Sequence, residues 1–374
     1  MFKKFRFIVM VLLLILSPNV LFAPNFKLYR NTVAYADEQN KSNEVRLEDD
    51  FYEAINKEWI SKNKLGDGCV SYGTFQEVSN KVTCDVKEII RDIKENIDKY
   101  DPNSDEIRII TLYDNYFNMN MRNDLGIKPI EKYINRIDNI KTENDLRKII
   151  RDKDFSYFQF LVNLGVGTDC KDSNKNILYI GNSKIGLGNS HYYKSDDIKY
   201  SYIDYITKLN VLSGLDKMTA FNNAKIFYEI EKKIANEIPT KEEEALEEDR
   251  IEKSYNVYTL KQLNEEYPNL EFNKLLKEYK VNKAKKIIVE NPKNLKSVNN
   301  LVKEESLDNM KIYFRTSILL RTDNSLTEDF RKASSDLKRT LYGVGVVDLN
   351  ENNAVRFTMC QLEDWWPWSL AWSW

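Results

Sequence analysis

Apolar residues recur three and four positions apart along most of this chain, and little interrupts them. Only 12 glycines and 8 prolines occur in 374 residues, too few to punctuate a turn-rich all-β fold. The spacing therefore predicts long helices. Asp50 stands as a cap before Phe51, Tyr52, Ile55, Trp59 and Ile60. Phe75, Val78, Val82, Val86, Ile89 and Ile90 continue the rhythm. Ser104 is placed to cap a helix through Ile109, Leu112, Tyr113, Tyr116 and Phe117. Gly126 and Pro129 separate that stretch from Ile130, Ile134 and Ile137. Thr142 with Asp145 makes a capping-box pattern ahead of Leu146, Ile149 and Ile150.

Further helices are expected over 202–212, ended by Gly214, and on the stripe Phe227, Ile230, Ile234 and Ile238, stopped by Pro239. Leu260, Leu263, Leu270, Phe272, Leu275 and Leu276 mark another helical stretch, and 307–320 and 330–342 two more. One region departs from this rhythm. Residues 157–166 (YFQFLVNLGV) and 177–180 (ILYI) are short, aromatic and β-branched, with turn-like 167–176 between them. They predict a small β-hairpin near residues 157–180, followed by a loop over 181–190. The run 241–250 (KEEEALEEDR) reads as a solvated helix face, with an acidic metal or partner site as the rival reading. The expected fold class is mainly α, multi-helical, with this one hairpin.

The 56 basic and 58 acidic residues leave a net charge of −2, so no basic field exists to hold a nucleic-acid backbone. Lys3, Lys4 and Arg6 precede an apolar run over 7–16 (FIVMVLLLIL), which Ser17-Pro18 interrupts. That is a secretory signal pattern, too short for a comfortable membrane span. Ala34-Tyr35-Ala36 offers a small-x-small cleavage site, giving a signal peptide over 1–36 and a polar linker over 37–44. The product is then secreted or held at the cell surface; the rival is an uncleaved anchor running on through Val20, Leu21 and Phe22. Cys69, Cys84, Cys170 and Cys360 match no zinc knuckle and no Cys-x-x-Cys motif.

His191 is the single histidine. A zincin needs two histidines four apart on a helix with a glutamate beside the first, so no HExxH exists in these residues. His191 lies in a loop, Gly188-Asn189-Ser190-His191-Tyr192-Tyr193, with no nucleophile elbow, and reads as a hydrogen-bonded loop residue. Gly343-Val344-Gly345 lacks the third glycine of a dinucleotide loop. Five of the six tryptophans fall between Trp365 and Trp374. Each needs the codon TGG, and a shift of one base turns such codons into Leu, Met or Val codons followed by one beginning with G. The tail is expected to be an out-of-frame reading of an apolar helix, against a genuine Trp-rich tail for membrane or carbohydrate.

Residues 46–60 (RLEDDFYEAINKEWI), with Asp50, Phe51, Tyr52, Asn56 and Trp59, resemble the start of the folded region in the neprilysin and endothelin-converting-enzyme family, bacterial oligopeptidase O included. Further elements follow in the family's order: Tyr72-Gly73-Thr74-Phe75, Asp124-Leu125-Gly126 with Pro129-Ile130, and Ile185-Gly186-Leu187-Gly188 with Tyr192-Tyr193. Tyr255-Asn256 then leads to Leu260 and Leu263, and Leu341-Tyr342-Gly343 and Cys360 close the series. Gly188 replaces the family's proline, and Arg250 stands alone where an arginine pair is common.

The resemblance implies a bilobal zinc metalloendopeptidase acting on oligopeptides. Residues 45–350 would be its N-terminal helical lobe, and 351–374 the truncated start of the second. Asp50, Phe51, Tyr52, Asn56, Trp59, Gly126, Pro129, Tyr192, Tyr193, Tyr255 and Asn256 would be architectural, with no catalytic or metal-binding residue carried over. Zinc would belong to the intact enzyme, not to this chain. The chain alone is expected to be inactive, with a separately encoded C-terminal catalytic fragment as an expected partner. The alternative is a secreted pseudo-peptidase lobe that binds peptides without cutting them.

Overall fold

The computed structural model describes residues 45–63, 71–158, 160–343 and 351–370, with side chains of the last helix described as far as Cys360. The expected signal peptide and linker, Cys69, Val344-Gly345 and the side chains of the Trp-rich tail lie outside these residues. Among the described residues no helix is long and apolar enough to cross a membrane.

The chain divides into two units, residues 1–118 with 348–374, and residues 119–347. These limits differ from the 45–350 and 351–374 division expected from the sequence. The reason is packing. Helix Glu351–Leu370 buries Ala354, Val355 and Met359 in one apolar seam with Val86, Ile90 and Ile93 of helix Thr74–Glu95 and Ile110 and Tyr113 of helix Asp105–Phe117. Phe357 also meets Tyr116, with ring centroids 5.4 Å apart. Each large apolar side chain buried there contributes about 1.5–3 kcal/mol. Lys87 pairs with Glu351 at 3.3 Å on the rim.

Helix Phe51–Lys62 starts where expected. The Asp50 carboxylate accepts from the Glu53 amide at 2.8 Å, satisfying a first-turn donor. Ser104 caps helix Asp105–Phe117 in the same way, through the Ile107 amide. Helix Phe51–Lys62 buries none of its residues in this unit.

In residues 119–347, long helices surround a small sheet. Helices Asp196–Leu212, Lys217–Ala235, Leu307–Thr322 and Glu328–Tyr342 supply a large share of the core, including Ile206, Leu209, Phe227, Ile230, Tyr313, Phe314 and Phe330. Helix Lys217–Ala235 ends before Ile238, which packs on the core from the following turn rather than from the helix. Gly214, at φ +98°, turns the chain after Leu212 as expected. The expected helix through Leu260 to Leu276 is broken into Leu260–Glu266 and Phe272–Glu278. Pro268 cannot supply an amide to the first of these, and Glu271 adopts φ +48° between them.

The hairpin is present but shifted. Strand β1 is Asn163–Asp169 and β2 is Asp172–Gly181, whereas residues 153–158 form a 3-10 helix. Of the residues read as a turn, 167–176, five pair across the hairpin: Gly167 opposes Ile177, Thr168 opposes Asn176 and, past an irregularity in register, Asp169 opposes Asp172. Only Cys170 and Lys171 remain to turn the chain, and the Asp169 carboxylate accepts from the Lys171 amide at 2.9 Å. Two more short strands complete the sheet, β3 (Asn256–Tyr258) and β4 (Ile287–Val289), in the order β1-β2-β4-β3. β4 runs parallel to β2 and antiparallel to β3. Its residues Ile287, Ile288 and Val289 have no exposed surface, as an apolar run buried on both faces should.

Candidate functional site

The motif residues singled out in the sequence are divided between the two units. In the first unit, Trp59 donates its indole N–H to Glu77 at 2.9 Å and stacks on Tyr72 at 5.8 Å. Asn56 donates to the Tyr52 carbonyl one turn earlier. Phe51 and Tyr52 remain 68% and 67% exposed, and Ile55 in the same helix and Phe75 at the start of helix Thr74–Glu95 are exposed too.

In the second unit, Gly126 takes φ +57° at the end of helix Met119–Leu125, and Pro129 sits in the first turn of helix Lys128–Asp138, where a missing amide costs nothing. Tyr255 donates to the Asp169 carboxylate at 2.9 Å, with the Lys171 ammonium 4.3 Å from its ring centre. Burial, then the Asp169 carboxylate, push the Tyr255 phenol up to about 12. Asn256 donates to the Val289 carbonyl at 2.9 Å and fastens β3 to β4. Tyr192 is half-buried against Tyr342, 6.3 Å away.

Tyr193 leads to a residue that sequence reasoning missed. Its hydroxyl donates to Glu231 Oε2 at 2.7 Å, and the Tyr202 hydroxyl donates to the same oxygen at 2.7 Å. The Gly186 amide donates to Glu231 Oε1, also at 2.7 Å. Three donors therefore close on one carboxylate that is 2% exposed. Burial raises the Glu231 pKa, while the three donors and the positive field of Arg321 pull it back. Burial and the neighbouring carboxylate raise both tyrosines well above their usual range. A signal for Glu231 did exist. It follows Ile230 and lies four residues after Phe227, on the apolar stripe of its helix, where a charge has no solvent to face.

A second acid, Asp323, is 5% exposed and accepts from Tyr205 at 2.6 Å. Burial raises its pKa too. Asp323 also meets the Ser334 hydroxyl, and neither acid has a histidine among its partners in the described residues. Networks of this kind hold elements in register rather than react. The Glu231 network ties loop residue Gly186 and the turn Ser190–Lys194 to helices Asp196–Leu212 and Lys217–Ala235. A Cβ on Gly186 would lie 1.9 Å from the Tyr202 hydroxyl. Gly186→Ala is therefore expected to lower the stability of this unit by about 1–3 kcal/mol through overpacking. Urea denaturation of the two proteins side by side checks it.

An open groove of about 780 Å³ runs between the end of helix Lys217–Ala235 and helix Pro292–Glu304. Lys233, Tyr258, Glu266, Tyr267, Lys296 and Glu305 stand on its walls. Lys233 pairs with Glu305 at 2.9 Å, and the Tyr258 and Tyr267 hydroxyls are 3.3 Å apart. The groove mixes charges of both signs without a nucleophile and base in contact.

No set of three or more His, Cys, Asp and Glu among the described residues could hold a metal ion. His191 is exposed, its amide bonded to Asn189 Oδ1 and its ring edge-on to Tyr192, and Cys84 and Cys170 are exposed free thiols. A catalytic zinc therefore does not fit the donor set described here.

A sequence profile described as Peptidase family M13 matches residues 47–362. The chain belongs to peptidase family M13. That is a family of zinc metallopeptidases, and this M13 chain corresponds to its N-terminal, mainly helical region. It is 24% identical over 321 residues to an endothelin-converting enzyme homolog of Locusta migratoria, covering 79% of this chain and 43% of that protein. Neprilysin-3 of Drosophila melanogaster is 25% identical over 348 residues, covering 84% and 43%. The inhibitor-bound zinc metalloprotease Zmp1 of Mycobacterium tuberculosis superimposes with a TM-score of 0.72 at 18% identity, covering 87% of this chain and 51% of that one. The M13 chain thus spans about half the length of the proteins it matches.

Proposed function

We propose that this chain is the substrate-restricting, non-catalytic part of a secreted zinc metalloendopeptidase that acts on oligopeptides, and that it does not hydrolyse peptides by itself. The observation that carries this reading is the M13 match over 47–362 in a sequence with a single histidine. Two histidines are the minimum for the zinc motif. The exposed apolar residues Phe51, Tyr52, Ile55 and Phe75 support it further. Phe51, Tyr52 and Ile55 fall within one helix, and exposed apolar side chains grouped in this way fit a surface that another element buries. In this reading the zinc-bearing C-terminal region of an M13 enzyme covers it.

The test is a peptide-hydrolysis assay with added zinc. The purified chain alone is expected to give no turnover above buffer. Addition of a C-terminal M13 fragment carrying HExxH is expected to give turnover that a chelator removes. Chelator-sensitive hydrolysis by the chain alone would overturn the reading. Sequencing the coding DNA past codon 360 and translating every frame supplies an independent check, because the reading expects HExxH downstream.

A further inference from the structure

The Glu231 carboxylate has room for a fourth partner. Its Oε2 accepts from two tyrosine hydroxyls, but its Oε1 accepts only from the Gly186 amide. A carboxylate oxygen offers two acceptor sites, so Oε1 has one to spare. All three donors are neutral, and the carboxylate is 2% exposed. A buried anion is costly until a counter-charge completes its set of hydrogen bonds.

One cation stands close. A narrow cleft opens beside Glu231, with Phe158, Phe160, Gly186, Tyr313, Ser317 and Arg321 among its walls. The positive field of the half-buried Arg321 reaches both Glu231 and Tyr313. Yet Arg321 makes no ion pair with any carboxylate among the described residues. Arg321 and Glu231 are thus near enough to attract and too far apart to touch. A polar pair at such a separation invites a bridging water. The space within the cleft is about 10 Å³, the size of one water molecule.

The polar groups around that space complement a single water. Glu231 Oε1 can accept from it, and the Arg321 guanidinium can donate to it. Ser317 already gives its proton to the Tyr313 carbonyl at 2.8 Å, so its Oγ can only accept. Two acceptors and one donor match the two protons and a lone pair of water. We propose that one ordered water bridges Glu231 Oε1, Ser317 Oγ and the Arg321 guanidinium, and that through it Arg321 is the counter-charge of the buried carboxylate. Monatomic ions fit worse. A sodium ion would meet the guanidinium, with Lys184 on the same cleft adding to the repulsion, and a chloride ion would meet the carboxylate. The bridge adds Arg321, near the end of helix Leu307–Thr322, to the segments that Glu231 holds together.

The experiment has two arms, both on the full chain. The first is a crystal structure at a resolution that shows ordered water, with a second crystal grown in bromide. The expected result is one peak within hydrogen-bond distance of Glu231 Oε1 and of Arg321, without anomalous signal from bromide. A direct Glu231–Arg321 ion pair, an empty cleft, a water that touches only one of the two, or bromide in its place would each overturn the inference.

The second arm reads the charge. Glutamate labelled with carbon-13 at the side-chain carboxyl reports the titration of Glu231, whose signal is the one lost in Glu231→Gln. Arg321→Met is expected to raise the Glu231 midpoint by about one pH unit, a tenfold change in its dissociation constant, while Arg321→Lys stays close to the parent. A merely structural Arg321 would not separate Met from Lys in this way. An unchanged or lowered midpoint in Arg321→Met, or an equal rise in both variants, would overturn the counter-charge role. Should Arg321→Met fail to fold, the crystal of the unaltered chain still decides.

Discussion

Glu231→Ala is expected to destabilise the 119–347 unit by roughly 3–5 kcal/mol. The carboxylate is the shared acceptor of the Gly186 amide and the Tyr193 and Tyr202 hydroxyls. Without it, two buried phenols and one amide lose their partner at a depth that water does not reach freely. Each such loss costs about 1–3 kcal/mol, and the cavity left behind adds to it. Urea denaturation followed by hydrogen exchange in helix Lys217–Ala235 measures the effect locally. A shift below about 1 kcal/mol would show that the network is dispensable.

The sign of the pH effect follows from the same site. Burial raises the folded-state pKa of Glu231, so the folded unit holds its proton to higher pH than the unfolded chain does. Stability is then full below the ordinary carboxylate range and falls as pH rises through the raised folded value. Asp323 acts in the same sense. Glu231→Gln removes the Glu231 share of this slope. Its stability should therefore change less between mildly acidic and neutral pH than that of the parent.

Phe227→Ala is the second large effect, at about 3–5 kcal/mol, for a different reason. Phe227 has no exposed surface, stacks on Tyr313 at 5.2 Å and meets Tyr202 edge-on at 6.5 Å. Tyr313 is tied to the Phe160 carbonyl at 3.1 Å, so its ring is not free to close the gap. The cost is mainly a cavity, which a leucine would partly fill. Phe227→Leu is expected to recover well over half of the loss in a denaturation midpoint. Glu231 has no comparable apolar rescue, because a residue of the same size without an acceptor still leaves three donors unmet.

Phe227 and Glu231 lie one turn apart on one helix, yet only Phe227 was legible in the sequence. Phe227, Ile230 and Ile234 announce a buried face by spacing alone. Glu231 on that face could be flagged as anomalous, but its partners come from Gly186, Tyr193 and Tyr202, which lie 29 to 45 residues earlier. The same contrast runs through the sheet. Residues 177–180 were recognisable as strand. The three-residue strands β3 and β4 were not, because their pairing depends on chain brought back from more than 25 residues away. The break at Pro268 carried a local signal that the leucine spacing on either side masked.

The first unit shows where periodicity stops. Its helices were readable from caps and apolar spacing, and Asp50 and Ser104 cap them as expected. Nothing local indicated that helix Glu351–Leu370 would share a core with residues more than 230 positions earlier. The residues gathered by family resemblance had a legible order and no legible meeting place. Tyr193 enters the Glu231 network, while Trp59, Gly126 and Asn256 each serve a separate element.

What the sequence determined by itself is the helical class, the helix starts, most of the core stripe residues, the absence of an HExxH motif and the likeness to a peptidase family. These follow from short-range spacing, side-chain chemistry and ordered motifs, all of which one chain carries in plain view. Only the tertiary structure decided the two units, the four-strand order and the three donors on Glu231. Each of those depends on which distant segments meet, and that is set by the packing of whole elements rather than by any local run of residues.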